Sequence, residues 1–353
     1  MGDELWVLRA WEGMKRGLAA CAVVSGAAAL ARRGQQQRLQ ILMYHGVLPK
    51  VTGPAAFGGL FLEAAAFARH MRHVARAFRV MSLDEAMARF AVRRPFPDRS
   101  LLVTFDDGYR NVLTTAWPIL RQYRIPATVF LPAAEVDAGD CSWFDTLRVL
   151  IAECVRTKTT LCLADDVRLE GRLVRDPERA FLALSHRLTT LPPRQAEPIV
   201  AWLHAEGHDR QVLARYPEFA PASWEEWRSV LVEHGITIGS HGMRHRNLVG
   251  LSADAQLDEL KQSRLRIEAS LSRSCRAVAY PYGAWNDDVA RAARLAGYRC
   301  AMTTEEGLNG VDRNPFALRR TMIGDHGDFC LFALRVSGLW QRLRVKAAAP
   351  ARA

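Results

Sequence analysis

Leu101-Leu102-Val103-Thr104-Phe105-Asp106-Asp107-Gly108 is the stretch on which the reading of this chain turns. Five residues that suit a buried strand run directly into two adjacent carboxylates and a glycine. The pattern predicts a strand that breaks into a turn and presents charge at its carboxyl end, as barrel enzymes present catalytic groups. Two carboxylates this close do not both ionise comfortably unless a cation neutralises one of them. A second stretch supplies partners for such a cation. Ile236-Thr237-Ile238-Gly239-Ser240 is again strand-like and ends in His241 and His245, four residues apart. One carboxylate with two imidazoles makes a facial metal site and leaves the other carboxylate free to act as a base.

Working outward, strand-like runs alternate with helical patterns along the chain. The strands are expected at Leu39 to Tyr44, Phe78 to Met81, Leu101 to Phe105, Thr128 to Leu131, Ile236 to Gly239, Ala277 to Tyr280 and Cys300 to Thr303. This βα rhythm predicts a mainly parallel sheet, and seven strands suit an α/β fold of the distorted (β/α)7 barrel type. Residues 141 to about 221 break the rhythm with helix-like segments and Pro192-Pro193. They are read as a helical insertion, with Trp143 or Phe144 as platforms beside a groove. The expected organisation is an N-terminal apolar and basic helix over residues 1–36, a barrel domain over 37–325 and a basic amphipathic tail over 326–353.

Four strand ends carry polar groups: Tyr44-His45, Asp106-Asp107, His241 with His245, and Pro281-Tyr282-Gly283. Each alone has a bland explanation, since a histidine near a strand is usually a core residue and Asp-Gly is usually a turn. Four at matching topological positions point to one shared face. No phosphate-binding glycine loop, dinucleotide turn or nucleophile elbow occurs, which disfavours nucleotide enzymes and serine hydrolases.

The chain has 353 residues, of which 49% are hydrophobic, enough for a large core. Its formal charge of +11, from 48 Lys and Arg against 37 Asp and Glu, is scattered and forms no basic block interleaved with aromatics. Nucleic acid is therefore not an expected partner. Seven cysteines form no Cys-x-x-Cys pair and are expected to be reduced core residues. The apolar stretch Gly17 to Ala31 is short for a membrane span, and the acidic Asp3, Glu4 and Glu12 fall where a secretory leader would be basic. A cytoplasmic or membrane-associated protein with peripheral membrane contact is expected, with secretion as the alternative.

Thr104-Phe105-Asp106-Asp107-Gly108, Gly239-Ser240-His241-Gly242-Met243-Arg244-His245 and Tyr280-Pro281-Tyr282-Gly283 together resemble the successive motifs of the polysaccharide deacetylases, the NodB-homology or carbohydrate esterase family 4 group. Ile41-Leu42-Met43-Tyr44-His45 resembles the opening of a branch of that family. The resemblance implies metal-dependent removal of acetyl groups, N-acetyl first, from a glycan or a lipid-linked saccharide. By that likeness Asp107, His241 and His245 bind a divalent ion, zinc first and cobalt or nickel as alternatives. Asp106 is the general base acting on metal-bound water, and the backbone N–H of Tyr282 holds the oxyanion. Tyr44, Pro281 and Gly283 are expected to contact substrate.

Two departures from the family pattern stand out. The third motif often begins with an arginine that orients the base, yet Ala277-Val278-Ala279-Tyr280 has none. The late Leu-x-His that supplies an acid reads Leu318-Arg319-Arg320, so His45 is the expected general acid and His326 its rival. A carbohydrate-binding protein without turnover, or a hydrolase of another acyl or amide substrate, are the alternative functions.

Overall fold

The computed structural model describes Gly26 and residues 36–164, 167–191, 193–205, 210–233, 235–324 and 327–338. The N-terminal segment apart from Gly26 and Gln36, the rival acid His326 and most of the basic tail lie outside the described residues. Eight parallel strands make the central sheet: β1 (Leu39–Tyr44), β2 (Arg79–Val80), β3 (Ser100–Phe105), β4 (Ala127–Leu131), β5 (Ile236–Ser240), β6 (Ala277–Ala279), β7 (Cys300–Met302) and β8 (Thr321–Met322). Their order is β7-β6-β5-β4-β3-β1-β8, with β2 on the lower half of β3. The seven expected strands are present, and β8 joins them.

The sheet curls because the segment before β8 touches both of its ends. Leu318 exchanges backbone hydrogen bonds with the β7 region, Leu318 N to Ala301 O at 3.0 Å and Thr303 N to Leu318 O at 2.8 Å. Thr321 and Met322 then pair with Leu42 and Met43 of β1. This short irregular stretch closes the distorted barrel.

Side chains alternate across each strand with period two. Leu39, Ile41, Leu102, Phe130, Ala277, Ala279 and Met302 fill the interior of the barrel. Leu42, Tyr44, Leu101, Val103 and Phe105 face the outer helices instead. One such helix, Ala64–Ala77, packs Phe67 against Tyr44 and Phe105. The described part of the C-terminal region forms the helix Phe329–Val336, which lies on that same helix with Phe332 stacked on His70 at 3.8 Å.

Between β4 and β5 the chain leaves the barrel. Helices Trp143–Thr157, Pro177–Thr190 and Pro193–Ala205 enclose an apolar cluster of their own that includes Leu147, Ile151, Phe181 and Leu203. The insertion is not purely helical, because Thr160–Ala164 and Val167–Glu170 pair as an antiparallel hairpin. Its cysteine and leucine positions alternate too briefly in sequence to announce those strands.

Candidate metal and catalytic site

Strand register builds the site. Tyr44 lies opposite Phe105, and Leu131 opposite Ser240, so the residues after each strand emerge at one level. The ladder continues one step beyond the strands: Asp106 N donates to Tyr44 O at 3.0 Å and His241 N to Leu131 O at 2.8 Å. His45, Asp106 and His241 thereby converge on one face of the barrel. Asp107 and His245 follow in turns and take positive φ values of 69° and 50°, and Tyr282 has φ 60°. Left-handed backbone in non-glycine residues costs about 1–3 kcal/mol each and concentrates where geometry serves a site.

Asp107, His241 and His245 each offer one ligand atom within 4.8 Å of the other two. Asp107 Oδ1 is 3.4 Å from His241 Nε2 and 3.6 Å from His245 Nε2. The far nitrogen of each ring is already engaged, His241 Nδ1 with Ala279 O at 2.8 Å and His245 Nδ1 with Tyr282 Oη at 3.2 Å. Such outer contacts fix the ring and aim Nε2 inward. Burial and the neighbouring Asp106 and Asp145 push the Asp107 carboxyl well above its usual range, while burial holds His241 neutral. Two imidazoles with their Nε2 atoms turned toward a crowded buried carboxyl are a donor set that a divalent cation would complete, and these three residues fit one.

Asp106 is held differently. Burial alone would raise it, but Arg320 donates from Nη1 to Oδ1 and from Nη2 to Oδ2, both at 2.7 Å. That charge and those hydrogen bonds, helped by His241, hold the carboxyl down at about 2. Arg320 is itself fully buried and anchored, Nε to Thr303 O at 2.9 Å and Nη1 to Thr104 Oγ1 at 3.4 Å. It comes from the closing segment beside β8. Arg320 occupies the third place of Leu318-Arg319-Arg320, where the resemblance leads one to look for histidine, and it orients the base from there. Nothing in its local sequence separates it from the many other arginines.

The remaining expected residues divide. His45 lines the cavity beside Asp106 and Asp107, its Nδ1 is buried without a hydrogen-bond partner among the described residues, and burial lowers it to about 4. Tyr282 and Gly283 line the same cavity. Gly283 has φ 68°, and a Cβ there would lie 2.1 Å from Thr304 Oγ1, so the turn admits no larger residue unchanged. Tyr44, by contrast, is 1% exposed between Phe67 and Phe105. Period two sends Met43 and His45 into the cavity and Tyr44 into the helix layer, which corrects its assignment as a substrate contact. Pro281 is likewise buried, and a Cβ on Gly242 would sit 3.5 Å from its ring, so it shapes the turn rather than touching substrate.

The cavity has a volume of about 380 Å³. The barrel provides its polar floor, and the insertion provides apolar walls through Trp143, Phe144, Phe181 and Leu182. Trp143 also donates from Nε1 to Tyr282 Oη at 2.8 Å, so a chain of hydrogen bonds links the insertion to His245.

Comparison with known proteins agrees with this geometry. The family model described as polysaccharide deacetylase matches residues 93–160 and 203–301, a break that falls inside the insertion. A Bacillus subtilis protein, YxkH, named for the polysaccharide deacetylases, is 22% identical over 287 residues, 81% of this chain and 71% of its own length. Among solved structures, the deacetylase PplD of Streptococcus pyogenes superposes with a TM-score of 0.54 at 18% identity, over 81% of this chain and 92% of that one. IcaB from Ammonifex degensii gives the same TM-score at 18% identity, over 86% and 98%. At such identities the two structures speak for the fold, and the sequence match carries the likeness to the family. With the ordered motifs on the strand ends of one distorted barrel, the chain is similar to the polysaccharide deacetylase family in sequence and in fold.

Proposed function

We propose that the chain is a metal-dependent deacetylase that hydrolyses acetyl groups, N-acetyl first, from a glycan or lipid-linked saccharide. The observation that carries this reading is the unequal treatment of two adjacent carboxylates. Asp106 is kept ionised by Arg320, while Asp107 is crowded by negative charge and faces the Nε2 atoms of His241 and His245. Groups pushed apart in this way divide the labour of base and ligand.

A divalent ion held by Asp107, His241 and His245, zinc by the preference of this donor set, supplies Lewis acidity and makes water acidic enough to attack near neutral pH. The protein's own residues do the rest. Asp106, locked by Arg320, accepts a proton from the attacking water at a carboxylate oxygen that stays ionised at neutral pH. The backbone N–H of Tyr282 steadies the negative oxygen that develops on the acetyl carbonyl, and the fixed turn Pro281-Tyr282-Gly283 provides that donor without rearrangement. His45 is neutral at rest, so it serves as the acid only after gaining a proton, and the adjacent Asp106 is the group that passes it on. The leaving amine takes that proton as the carbon–nitrogen bond breaks.

Acetate release from N-acetylated and O-acetylated oligosaccharides by zinc-loaded protein tests this reading. Asp106→Asn is expected to lower kcat/KM by about 10²–10⁴-fold with the bound metal retained. No acetate from any saccharide, with a stoichiometric ion that His241→Ala abolishes, would point to a carbohydrate-binding role or to another acyl substrate. Asp106 and Arg320 favour turnover, since an oriented base beside a complete ligand set has no use in binding alone. Placement in the cytoplasm or at a membrane surface stays part of the same proposal, resting on the scattered positive charge and unpaired cysteines.

A further inference from the structure

A second cavity of about 620 Å³ opens beside the catalytic one, and the two share Trp143, Thr189, His245 and Tyr282. One side is built by the ends of the insertion helices, with Leu188, Leu191, Ala196 and Val200, and the other by the loop after β5, with Val249 and Leu251. We propose that this trough takes the aliphatic chain of an amphipathic acetylated sugar whose acetyl group lies in the catalytic cavity; the inference rests on the deacetylase reading and narrows its substrate class.

The walls carry the argument. Sugar subsites present carboxylates, amides and aromatic faces to hydroxyl groups, whereas methylenes gain from aliphatic walls in proportion to the apolar area they bury. Here the aromatic residues, Trp143 and Tyr282, stand at the junction with the catalytic cavity, and beyond them the apolar part of the lining is leucine, valine and alanine, with Thr190 and Asn247 among its polar neighbours. Val249 is 43% exposed although it faces this trough, an apolar surface that the described residues leave uncovered. Among the described residues the one carboxylate of the lining, Glu197, is paired with Arg246, and the amide oxygen of Asn247 accepts from Val249 N at 3.2 Å. Arg244 lines the trough as well, its side chain 64% exposed and in a 3.7 Å contact with Glu259. Its charge suits an anionic link, such as a phosphate, between sugar and chain.

Methyl and octyl glycosides of N-acetylglucosamine, and the octyl phosphodiester of the same sugar, separate the outcomes. Binding to the zinc-loaded full chain is read by calorimetry and kcat/KM by acetate release. The octyl glycoside is expected to bind at least about tenfold tighter than the methyl glycoside, since burying a few methylenes suffices. Val249→Asp at the exposed wall, and separately Val200→Asp, should erase that gain and leave the methyl glycoside unchanged. The phosphodiester should add about threefold or more, lost in Arg244→Gln.

Equal binding of methyl and octyl glycosides overturns the proposal, including the case in which the chain's own apolar stretch Gly17 to Ala31 fills the trough. A gain that persists in both aspartate variants overturns it as well. So does a gain that comes with glycan length and is lost in those variants, which would make the trough a sugar subsite. Octyl binding without acetate release would sink the deacetylase reading and spare the trough; acetate release without the octyl gain would do the reverse.

Discussion

The barrel and the insertion each bury an arginine against an aspartate, and the two pairs are built on opposite terms. In the barrel Arg320 grips both oxygens of Asp106, donates as well to Thr303 and Thr104, and spans 214 residues of sequence. In the insertion Arg148 and Asp145 are three residues apart on one helix, and Arg148 Nη1 meets Asp145 Oδ1 alone. Arg148 Nε and Nη2 have no hydrogen-bond partner among the described residues and lie instead against the rings of Phe181, Phe219 and Phe61. Tyr109 and Ser142 satisfy the other oxygen of Asp145 at 2.7 and 3.0 Å. The outcome differs accordingly. Asp106 is driven down to about 2, whereas burial leaves Asp145 raised. A bidentate pair holds a buried carboxyl low and available for chemistry, whereas a one-point pair packed among aromatic rings leaves its carboxyl raised.

The largest effect is expected where that contrast is removed. Arg320→Met should lower kcat/KM by about 10³-fold, within the range that a positioned base contributes, and Arg320→Lys should restore only part of it. The sign of the accompanying pH effect follows from the lost cation. Without Arg320 the Asp106 carboxyl titrates higher, so the acid limb of the pH–rate profile should move to higher pH. An unmoved limb would break the comparison.

Arg148→Met should act on stability instead. Removing one member of a buried pair strands the other, at a cost of about 3–5 kcal/mol in denaturant unfolding. Replacing both, with Asp145→Leu added, should recover much of that loss, and the double variant should keep kcat/KM within about tenfold of the parent. A rate collapse in the double variant would show that the insertion pair also serves the chemistry.

His70 extends the comparison to a buried base that has no acid at all. Both of its ring nitrogens lack hydrogen-bond partners among the described residues, and burial, with Arg69 and His73 nearby, lowers it from 6.5 to about 3. The unfolded chain therefore binds a proton that the folded chain refuses between pH 3 and 6.5. Stability should rise with pH across that window, by up to about 1.4 kcal/mol per unit, and level off above it. His70→Phe, stacked on Phe332 in the same way, should flatten the slope. The smallest effect is assigned to Tyr282→Phe. It removes the hydroxyl that bridges Trp143 and His245, and zinc affinity measured by competition with a chelator should weaken about tenfold.

Much of the barrel was legible because strands advertise themselves locally. The five-residue runs before Asp106 and His241 announce both the strands and the turns that end them, and matching strand ends bring their polar residues to one face. The eighth strand, Thr321–Met322, was not legible, since two residues carry no periodicity. Tyr44 was misplaced for a related reason: adjacency to His45 in sequence says nothing until the register decides which of the two faces the cavity. Within the insertion Trp143 could be singled out by residue type, but its hydrogen bond to Tyr282 depends on how a separate apolar cluster docks over the barrel mouth.

Local sequence is enough to set the alternation of strands and helices, the two carboxylates at one strand end, the two imidazoles at another and the glycine-bounded turn at a third. These are short-range facts, fixed by which residues suit a buried strand and which can turn. Only the tertiary structure decided that Arg320 orients Asp106, because that contact forms when the last irregular segment closes the barrel and brings together residues 214 positions apart. Only the tertiary structure, likewise, set an aliphatic trough beside the catalytic cavity, since its two walls come from the insertion and from the loop after β5, which meet nowhere in the linear chain.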